Sequence, residues 1–163
     1  MIGKLVTAIS IYKLSHKINK KYPRLSKFLD KYNYFLHNSI IPGTCEIGNG
    51  TQLAYGGIGV VIHAESKIGK ECMLGQGITI GRYLGKEGLP VIEDNVYISA
   101  GARIIGNIKI GHDSIIGPNC VVVRDIEPYS VCVGIPAKVI GKITNKNINK
   151  YKAYGIKNFE VIE

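Results

Sequence analysis

The chain has 163 residues, of which 45% are hydrophobic, 20 are glycine and 6 are proline, a composition that favours one globular or repeat domain over a disordered chain. The formal net charge of +9 is concentrated at the two ends of the chain. Residues 1–44 hold eight basic residues and one acidic residue (+7), and residues 142–163 hold five basic and two acidic residues (+3). Residues 45–141 hold eight basic and nine acidic residues (−1). The central region therefore lacks the basic surface expected of a nucleic-acid-binding domain.

Two amphipathic helices are predicted in the N-terminal segment, residues 1–42. Apolar and aromatic positions of residues 4–18 follow one side of a helix, namely Leu5, Ile9, Tyr12 and His16. A second helix begins at Pro23, and one of its faces holds Leu25, Phe28, Leu29, Tyr32 and Leu36. This hairpin either caps the open end of the domain that follows or presents a basic surface to an anionic membrane or a membrane-bound substrate.

Residues 43–140 carry a six-residue repeat. Each hexad begins with an aliphatic residue, and a small or aliphatic residue follows four places later, as at Ser66, Cys72, Ile78, Val96, Ala102, Ile108, Ser114 and Cys120. This spacing predicts an all-β solenoid, in which each hexad is a short strand plus a bend and stacked coils bury one apolar column. If three hexads complete one coil, counting hexads in order gives four coils with three faces, led by Ile47, Ile68, Ile92 and Ile110; by Leu53, Leu74, Ile98 and Ile116; and by Ile62, Ile80, Ile104 and Val122.

Glycine often follows the leading residue, and we expect it to relieve backbone strain at the bends. Two stretches interrupt the repeat, 54-AYGGIGVV-61 and 81-GRYLGKEGLPV-91, of which the second is predicted to be a protruding loop. Interruptions of a regular scaffold are where function is expected. The tail, residues 141–163, is predicted to pack along the solenoid and to end in a mobile segment.

The four cysteines show neither a CxxC pair nor the spacing of metal ligands, which predicts reduced, packed thiols in a cytoplasmic protein. No convincing secretory signal and no run of about 18 apolar residues is present.

Residues 92–143, and above all the ending Gly134-Ile135-Pro136-Ala137-Lys138, resemble the hexapeptide-repeat acyltransferases. The resemblance is to the serine O-acetyltransferase branch, and the N-terminal pattern looks most like its relatives in surface-polysaccharide synthesis. It implies a left-handed parallel β-helix of triangular section and a homotrimer with its active sites in the clefts between neighbours. It also implies acetyl-CoA as co-substrate and no metal.

The same resemblance implies which residues contact acetyl-CoA. Small residues would line the pantetheine arm and cations would approach the phosphates. The positions that match the family's motifs are Gly81, Arg82, Ala100 and Lys138. Pro118 replaces a small residue at a similar position, and Arg82 and Lys86 are further candidate cations.

Transfer of an acetyl group to a hydroxyl needs a base, and histidine is the natural choice. Serine acetyltransferases carry this histidine in an L-D-H-A-T-G-type stretch, where the present sequence has Leu53-Ala54-Tyr55, and their Arg-His pair in the loop is here Gly88-Leu89. We therefore consider His63 the candidate general base, with Tyr55 orienting the acceptor or relaying a proton. The alternatives for His63 are a bend residue without a catalytic role and a residue that binds the acceptor. An acyl-cysteine intermediate is disfavoured, because Cys72 and Cys120 point inward.

The sequence thus favours acetyl transfer from acetyl-CoA to a hydroxyl of a sugar or a surface-polysaccharide precursor, and the alternative acceptor is serine. Two further interpretations are a zinc hydratase of the γ-carbonic anhydrase type and a scaffold without catalysis. The first would need three histidine ligands, whereas the solenoid offers only His63 and His112.

Overall fold

The computed structural model describes residues 7–85 and 87–151 of the chain. Two helices, α1 (Ala8–Asn19) and α2 (Pro23–His37), precede the solenoid, and a short helix, α3 (Ile148–Tyr151), follows it. The predicted first helix began at residue 4, and residues 1–6 lie outside the described range. Within the described residues, no helix has the length and apolar character needed to cross a membrane.

The solenoid consists of short strands that form three sheets, here called faces. Face 1 contains β1 (Glu46–Ile47), β4 (Lys67–Ile68), β7 (Val91–Ile92) and β10 (Lys109–Ile110). Face 2 contains β2 (Gln52–Leu53), β5 (Met73–Leu74), β8 (Tyr97–Ile98), β11 (Ile115–Ile116), β13 (Ser130–Val133) and β14 (Lys138–Lys142). Face 3 contains β3 (Val61–Ile62), β6 (Thr79–Gly81), β9 (Arg103–Ile105) and β12 (Val121–Val122).

The predicted register of the coils is confirmed. On face 3, Ile62 pairs with Ile80, Ile80 with Ile104, and Ile104 with Val122, all in parallel strands. Faces 1 and 2 align their hexad-leading residues in the same way. Most of these side chains are fully buried, and the small residues four places later are buried as well. The apolar column inside the coils is therefore the core that the repeat predicted.

The glycines that follow the leading residues have a different role from the one expected. Gly69, Gly75 and Gly111 do not adopt positive φ, so they relieve no left-handed strain. Instead, a Cβ on Gly75 would lie 2.5 Å from the backbone nitrogen of Ala100 in the next coil, and one on Gly69 would lie 2.6 Å from the carbonyl carbon of Glu93. These positions lack a side chain because the backbone of the next coil occupies the space.

Left-handed residues instead mark two of the three edges of the prism. The edge between faces 1 and 2 stacks Glu71, Asn95 and Asp113, each with φ between 53° and 57°. The edge between faces 2 and 3 stacks Gly77 (φ 65°), Gly101 (φ 71°) and Asn119 (φ 53°). A repeated left-handed residue turns the chain sharply at each of these edges, and Gly and Asn tolerate this conformation best.

Helix α1 docks on the first coil. Ala8, Ile11 and Tyr12 are buried, and the Tyr12 hydroxyl donates to the Cys45 carbonyl (3.0 Å) and accepts from the Ile47 N–H (3.1 Å). Burial and the neighbouring Cys45 raise the pKa of Tyr12 well above its usual range. The hairpin therefore caps one end of the solenoid, as one of the two interpretations required.

In helix α2, the side that packs against the rest of the protein is not the apolar face that the sequence pattern indicates. Its buried residues are Ser26 and Asn33. Large apolar side chains are exposed instead, namely Leu25, Phe28, Tyr32, Tyr34, Phe35 and Leu36. The helix ends at Asn38, which adopts φ 51° and donates its N–H to the Tyr34 carbonyl, a common helix C-terminus.

At the other end of the solenoid, β14 pairs with β13 in antiparallel orientation and extends face 2. Ile115 and Val131 form a second small buried cluster with Ile143 of the tail. The start of the tail thus packs along the solenoid, whereas its predicted mobile end falls on residues 152–163, outside the described range.

Candidate active site

The edge between faces 2 and 3 is a continuous column of turns, one for each coil. The Gly77 N–H donates to the Ile58 carbonyl, the Gly101 N–H to the Gln76 carbonyl and the Asn119 N–H to the Ala100 carbonyl, each at 2.9 Å. The turns therefore lie one above another at the spacing of hydrogen-bonded strands. Small residues at this edge expose the backbone to any ligand that runs along it.

The first interruption of the repeat begins this column. Residues Ala54–Gly57 form a short 3-10 turn in which Tyr55 has φ 50° and its side chain is 77% exposed. Below the turn, Gly57 packs against Leu53 and Ala8 of α1, and the Ser39 hydroxyl donates to its carbonyl. A bulky residue with positive φ is strained, so the packing beneath the turn must hold Tyr55 outward.

Ala100 and Pro118 lie on the same edge in the third and fourth coils. Pro118 is exposed and Ala100 is partly exposed. Arg103, which the sequence analysis did not single out, reaches this edge from face 3, where its guanidinium donates to the carbonyls of Gly77 and Gly101 (2.5 and 2.8 Å). Arg103 is the first residue of β9, and no pattern in the sequence indicates such a contact for it.

The Gly134–Lys138 segment closes the column. The Gly134 carbonyl accepts from the Val121 N–H (3.1 Å) and the Ala137 N–H donates to the Val121 carbonyl (2.8 Å), so the segment folds against β12. The Ile135–Pro136 peptide bond is cis. Lys138 begins β14 and is exposed. One edge therefore runs from Tyr55, past Ala100 and Pro118, to a cation at its end.

His63, Gly81 and Arg82 lie at a different edge, between faces 3 and 1. The His63 N–H donates to the Ile80 carbonyl (2.9 Å), which places His63 level with Gly81 one coil away. The second interruption leaves the solenoid here, since β6 ends at Gly81 and β7 begins at Val91. Arg82 is exposed, and Lys86 lies outside the described residues.

The hydrogen bond of His63 restricts its chemistry. Its Nδ1 accepts from the Glu65 N–H at 3.3 Å. This bond requires a lone pair on Nδ1, so neutral His63 carries its proton on Nε2. In this arrangement His63 can donate a proton through Nε2, and it must give up the long bond to Glu65 before Nε2 can accept one.

His112 shows the opposite arrangement. Its Nδ1 lies 2.6 Å from Oδ2 of Asp113, and its ring meets the Tyr129 ring edge-on at 5.0 Å between centroids. A carboxylate at Nδ1 leaves the lone pair on Nε2, which is the usual arrangement of a histidine base. However, His112 belongs to the edge between faces 1 and 2, which holds none of the other candidates.

The buried thiols do not offer an alternative nucleophile. All four cysteines are free and buried, as predicted. Burial raises the pKa of Cys45 to about 12 and the pKa of Cys72 and Cys132 to about 11, and it also raises the pKa of Cys120. Thiols of this kind carry almost no reactive thiolate near neutral pH. In residues 7–85 and 87–151, no group of three His, Cys, Asp or Glu side chains is placed to hold a metal ion.

The structure thus divides the predicted site residues into two sets. Tyr55, Ala100, Pro118 and Lys138 share the edge between faces 2 and 3. His63, Gly81 and Arg82 share the edge between faces 3 and 1. Within one chain, the width of face 3 separates the two sets.

Comparison with known proteins shows which sequences and folds this chain is similar to. Residues 90–124 match the family described as bacterial transferase hexapeptide (six repeats). The serine acetyltransferase of Buchnera aphidicola is 35% identical over 151 residues, which cover 89% of this chain and 57% of that protein.

Two solved structures are also similar. The serine acetyltransferase of Brucella abortus in complex with coenzyme A has a TM-score of 0.80 at 26% identity, over 84% of this chain and 56% of that one. The serine acetyltransferase of Neisseria gonorrhoeae in complex with serine has a TM-score of 0.77 at 29% identity, over 82% and 55%. The chain spans little more than half the length of these three relatives.

The solenoid and its stacked edges have the architecture of a hexapeptide repeat, and residues 90–124 match the hexapeptide transferase family. All three relatives are serine acetyltransferases, so the chain is similar to that group of enzymes in sequence and in fold. None of the three is a polysaccharide O-acetyltransferase, so these matches do not support the finer resemblance predicted from the sequence.

Proposed function

We propose that the chain is an acetyl-CoA-dependent O-acetyltransferase. The hydroxyl oxygen of the acceptor attacks the thioester carbonyl carbon, the C–S bond breaks, and coenzyme A leaves as the thiol with the proton that the hydroxyl gives up. The observation that carries this proposal is the column of small turns between faces 2 and 3, which ends at Lys138. A thin pantetheine arm needs such close backbone approach, and the phosphates at its far end need a cation. The coenzyme A complex of the Brucella abortus relative supports the same cofactor.

The separation of the two residue sets supports a site shared between subunits. His63 and Tyr55 lie on opposite edges of face 3, so one cleft can hold both only if each comes from a different copy. We therefore propose a homotrimer in which the edge between faces 2 and 3 of one copy meets the edge between faces 3 and 1 of the next. His63 then serves as general base for the acceptor hydroxyl once Nε2 is free to accept, and Tyr55 orients the acceptor.

The relatives favour serine as the acceptor, which reverses the order that the sequence suggested. A sugar hydroxyl stays as the second candidate because of the residues present at the site. Ala54, Tyr55 and Leu89 stand where serine acetyltransferases carry charged or basic side chains. A site without those charges has less to bind the carboxylate and amine of an amino acid.

One assay tests the activity and the acceptor together. It measures the release of free thiol from acetyl-CoA with serine and with a panel of sugars and glycan precursors. Turnover with serine at rates usual for enzymes supports the first acceptor, and turnover with a sugar alone supports the second. If acetyl-CoA is consumed with neither class of acceptor, the proposed activity is wrong.

Two histidine variants test the base. His63→Ala should lower kcat by roughly 100-fold or more, because general base catalysis contributes this much. The matched control is His112→Ala, which removes a histidine from another edge and should leave kcat close to the wild-type value. Equal losses in the two variants would remove the reason for assigning His63.

A mixing experiment tests the shared cleft. Neither His63→Ala nor Tyr55→Ala chains alone form an intact cleft. After the two are unfolded and refolded together, about one quarter of the clefts in randomly assorted trimers receive both intact residues. Recovery of activity on mixing supports a site between subunits, whereas no recovery places the site within one chain.

A further inference from the structure

Helix α2 buries its polar side and exposes its apolar side. On the buried side, the Ser15 hydroxyl of α1 donates to Asp30 Oδ1 (2.6 Å) and shares a hydrogen bond with the Ser26 hydroxyl (2.8 Å). The Asn33 amide donates to the Ala8 carbonyl (3.1 Å). The contacts that attach α2 to the protein are therefore largely polar, and they leave the apolar residues free for another surface.

The exposed side of α2 alternates cations and aromatic rings. Arg24, Phe28, Lys31 and Phe35 are spaced by four, three and four residues, so they form one line along the helix. Phe28 is 62% exposed and Phe35 is 84% exposed, while Arg24 and Lys31 are exposed beside them. Leu25, Tyr32 and Leu36 widen this line on one flank. We call these seven residues the α2 outer face.

The charge around this face has one sign. Residues 7–44 contain seven Lys and Arg and one acidic residue, a net of +6, and all seven cations are exposed. The one acid, Asp30, is turned toward α1 and the Gly43 N–H. The central region, residues 45–141, carries a net of −1 and so offers no comparable excess of negative charge. A second copy that placed its own α2 against this face would bring cations against cations.

We propose that the α2 outer face docks on an anionic phospholipid surface, with α2 lying in the plane of the interface. Phe28 and Phe35 enter the boundary between headgroups and acyl chains, while Arg24 and Lys31 meet the lipid phosphates. An apolar stripe among exposed Lys and Arg is the pattern that interfacial helices use. This docking requires no turnover and does not depend on the proposed acetyltransferase activity.

The test is flotation of the full chain with vesicles of phosphatidylcholine mixed with phosphatidylglycerol, compared with vesicles of phosphatidylcholine alone. The chain should float with the anionic vesicles, fail to float with the neutral ones, and be released at high salt because the attraction between exposed charges is screened. A chain that stays in the soluble fraction with anionic vesicles would overturn the proposal.

Two double variants examine the two parts of the face. Arg24→Glu/Lys31→Glu should weaken vesicle binding by roughly 30-fold or more, since each lost cation costs about fivefold. Phe28→Ser/Phe35→Ser should weaken it by roughly tenfold or more for each ring removed. The control Lys67→Glu/Lys70→Glu changes the net charge equally on the solenoid and should bind vesicles within a few-fold of the wild type. An equal loss in this control would contradict a defined docking face.

Sedimentation of the same variants detects the competing occupant. If Phe28→Ser/Phe35→Ser keeps its vesicle binding but changes oligomeric state, the face is covered by a second copy and the membrane proposal is wrong. Circular dichroism confirms that each variant folds. Should the double variant unfold, Phe35→Ser alone serves instead, because this side chain is 84% exposed and its loss leaves the packing unchanged.

Discussion

Gly75 sets the distance between the second and third coils at the proposed cofactor edge, and replacing it tests the packing of the solenoid. A Cβ at this position would lie 2.5 Å from the Ala100 nitrogen and 2.6 Å from the Ser99 carbonyl carbon. Both are backbone atoms of the next coil, so they cannot rotate away. The Gly75 N–H also donates to the Ile98 carbonyl (2.7 Å), a bond that the displaced coil would stretch or lose.

Gly75→Ala should therefore destabilise the protein. Overpacking of a well-packed interior costs about 1–3 kcal/mol, and a weakened hydrogen bond adds about 1 kcal/mol. For a chain of this size the total corresponds to a fall in Tm of roughly 5–15 °C. Thermal unfolding followed by circular dichroism, at one fixed protein concentration, measures the effect.

Gly81→Ala is the matched control for this experiment. Gly81 also follows a leading isoleucine, but a Cβ there would meet only Thr79 Cγ2, at 4.0 Å, and its φ is not positive. Its Tm should stay within a few degrees of the wild type. If Gly75→Ala melts together with the wild type, or if Gly81→Ala melts as low as Gly75→Ala, then backbone contact between coils does not explain these glycines.

Two further predictions concern titratable groups. The four cysteines should not react with Ellman's reagent in the native protein at neutral pH and should all react after unfolding, because burial raises their pKa; rapid native labelling would contradict their burial. Burial alone would raise the pKa of Glu93, but hydrogen bonds from Lys109 and the His112 N–H outweigh it and leave this pKa lowered. Glu93 thus stabilises the fold above its unfolded pKa and loses this effect as the pH falls through its folded pKa. Glu93→Gln should lower the free energy of unfolding, measured with urea, at neutral pH, and this difference from the wild type should vanish in acid. Glu87→Gln, in the exposed loop, should show no such pH-dependent difference.

The repeat predicts the fold so well because one simple rule decides the position of every side chain in a solenoid. Each hexad-leading residue stacks on the leading residue at the equivalent position of the next coil, so its partner follows from the repeat. Once the family resemblance supplies three hexads per coil, counting from Ile47, Leu53 and Ile62 onward assigns all three faces. The glycines were correctly located but wrongly explained, because close approach between coils is a property of stacking that one coil's sequence does not reveal.

Helix α2 shows where the sequence pattern misled. A row of apolar residues on one helix face ordinarily packs on a core. No pattern in the sequence indicates that Ser26 and Asn33 take that place instead. Their inward position depends on Ser15 and the Ala8 carbonyl of a different helix. Such contacts between two separate segments leave no periodic pattern in the sequence.

The candidate site residues could be named from the sequence, but their arrangement in space could not. Tyr55 was singled out because it stands where the resembled enzymes carry histidine, and His63 because it is a histidine directly after the same interruption of the repeat. Their separation by face 3 follows from the count of hexads, but the hydrogen bond between the Glu65 N–H and His63 Nδ1 does not. That bond decides which nitrogen of His63 carries the proton, and it depends on a backbone bend two residues away.

The conformation of Tyr55 leads to a last prediction that links stability and activity. A non-glycine residue with φ 50° is strained, at a cost of about 1–3 kcal/mol, and the 77% exposure of Tyr55 means that its side chain gains little from packing. Tyr55→Gly removes the strain, partly offset by about 1 kcal/mol of added chain entropy in the unfolded state. We expect an unchanged or slightly raised Tm together with a large loss of acetyl transfer. A strained residue that gives the fold no packing benefit is expected to have a functional role instead. Melting at a clearly lower temperature with full activity would show instead that Tyr55 supports the turn and takes no part in catalysis.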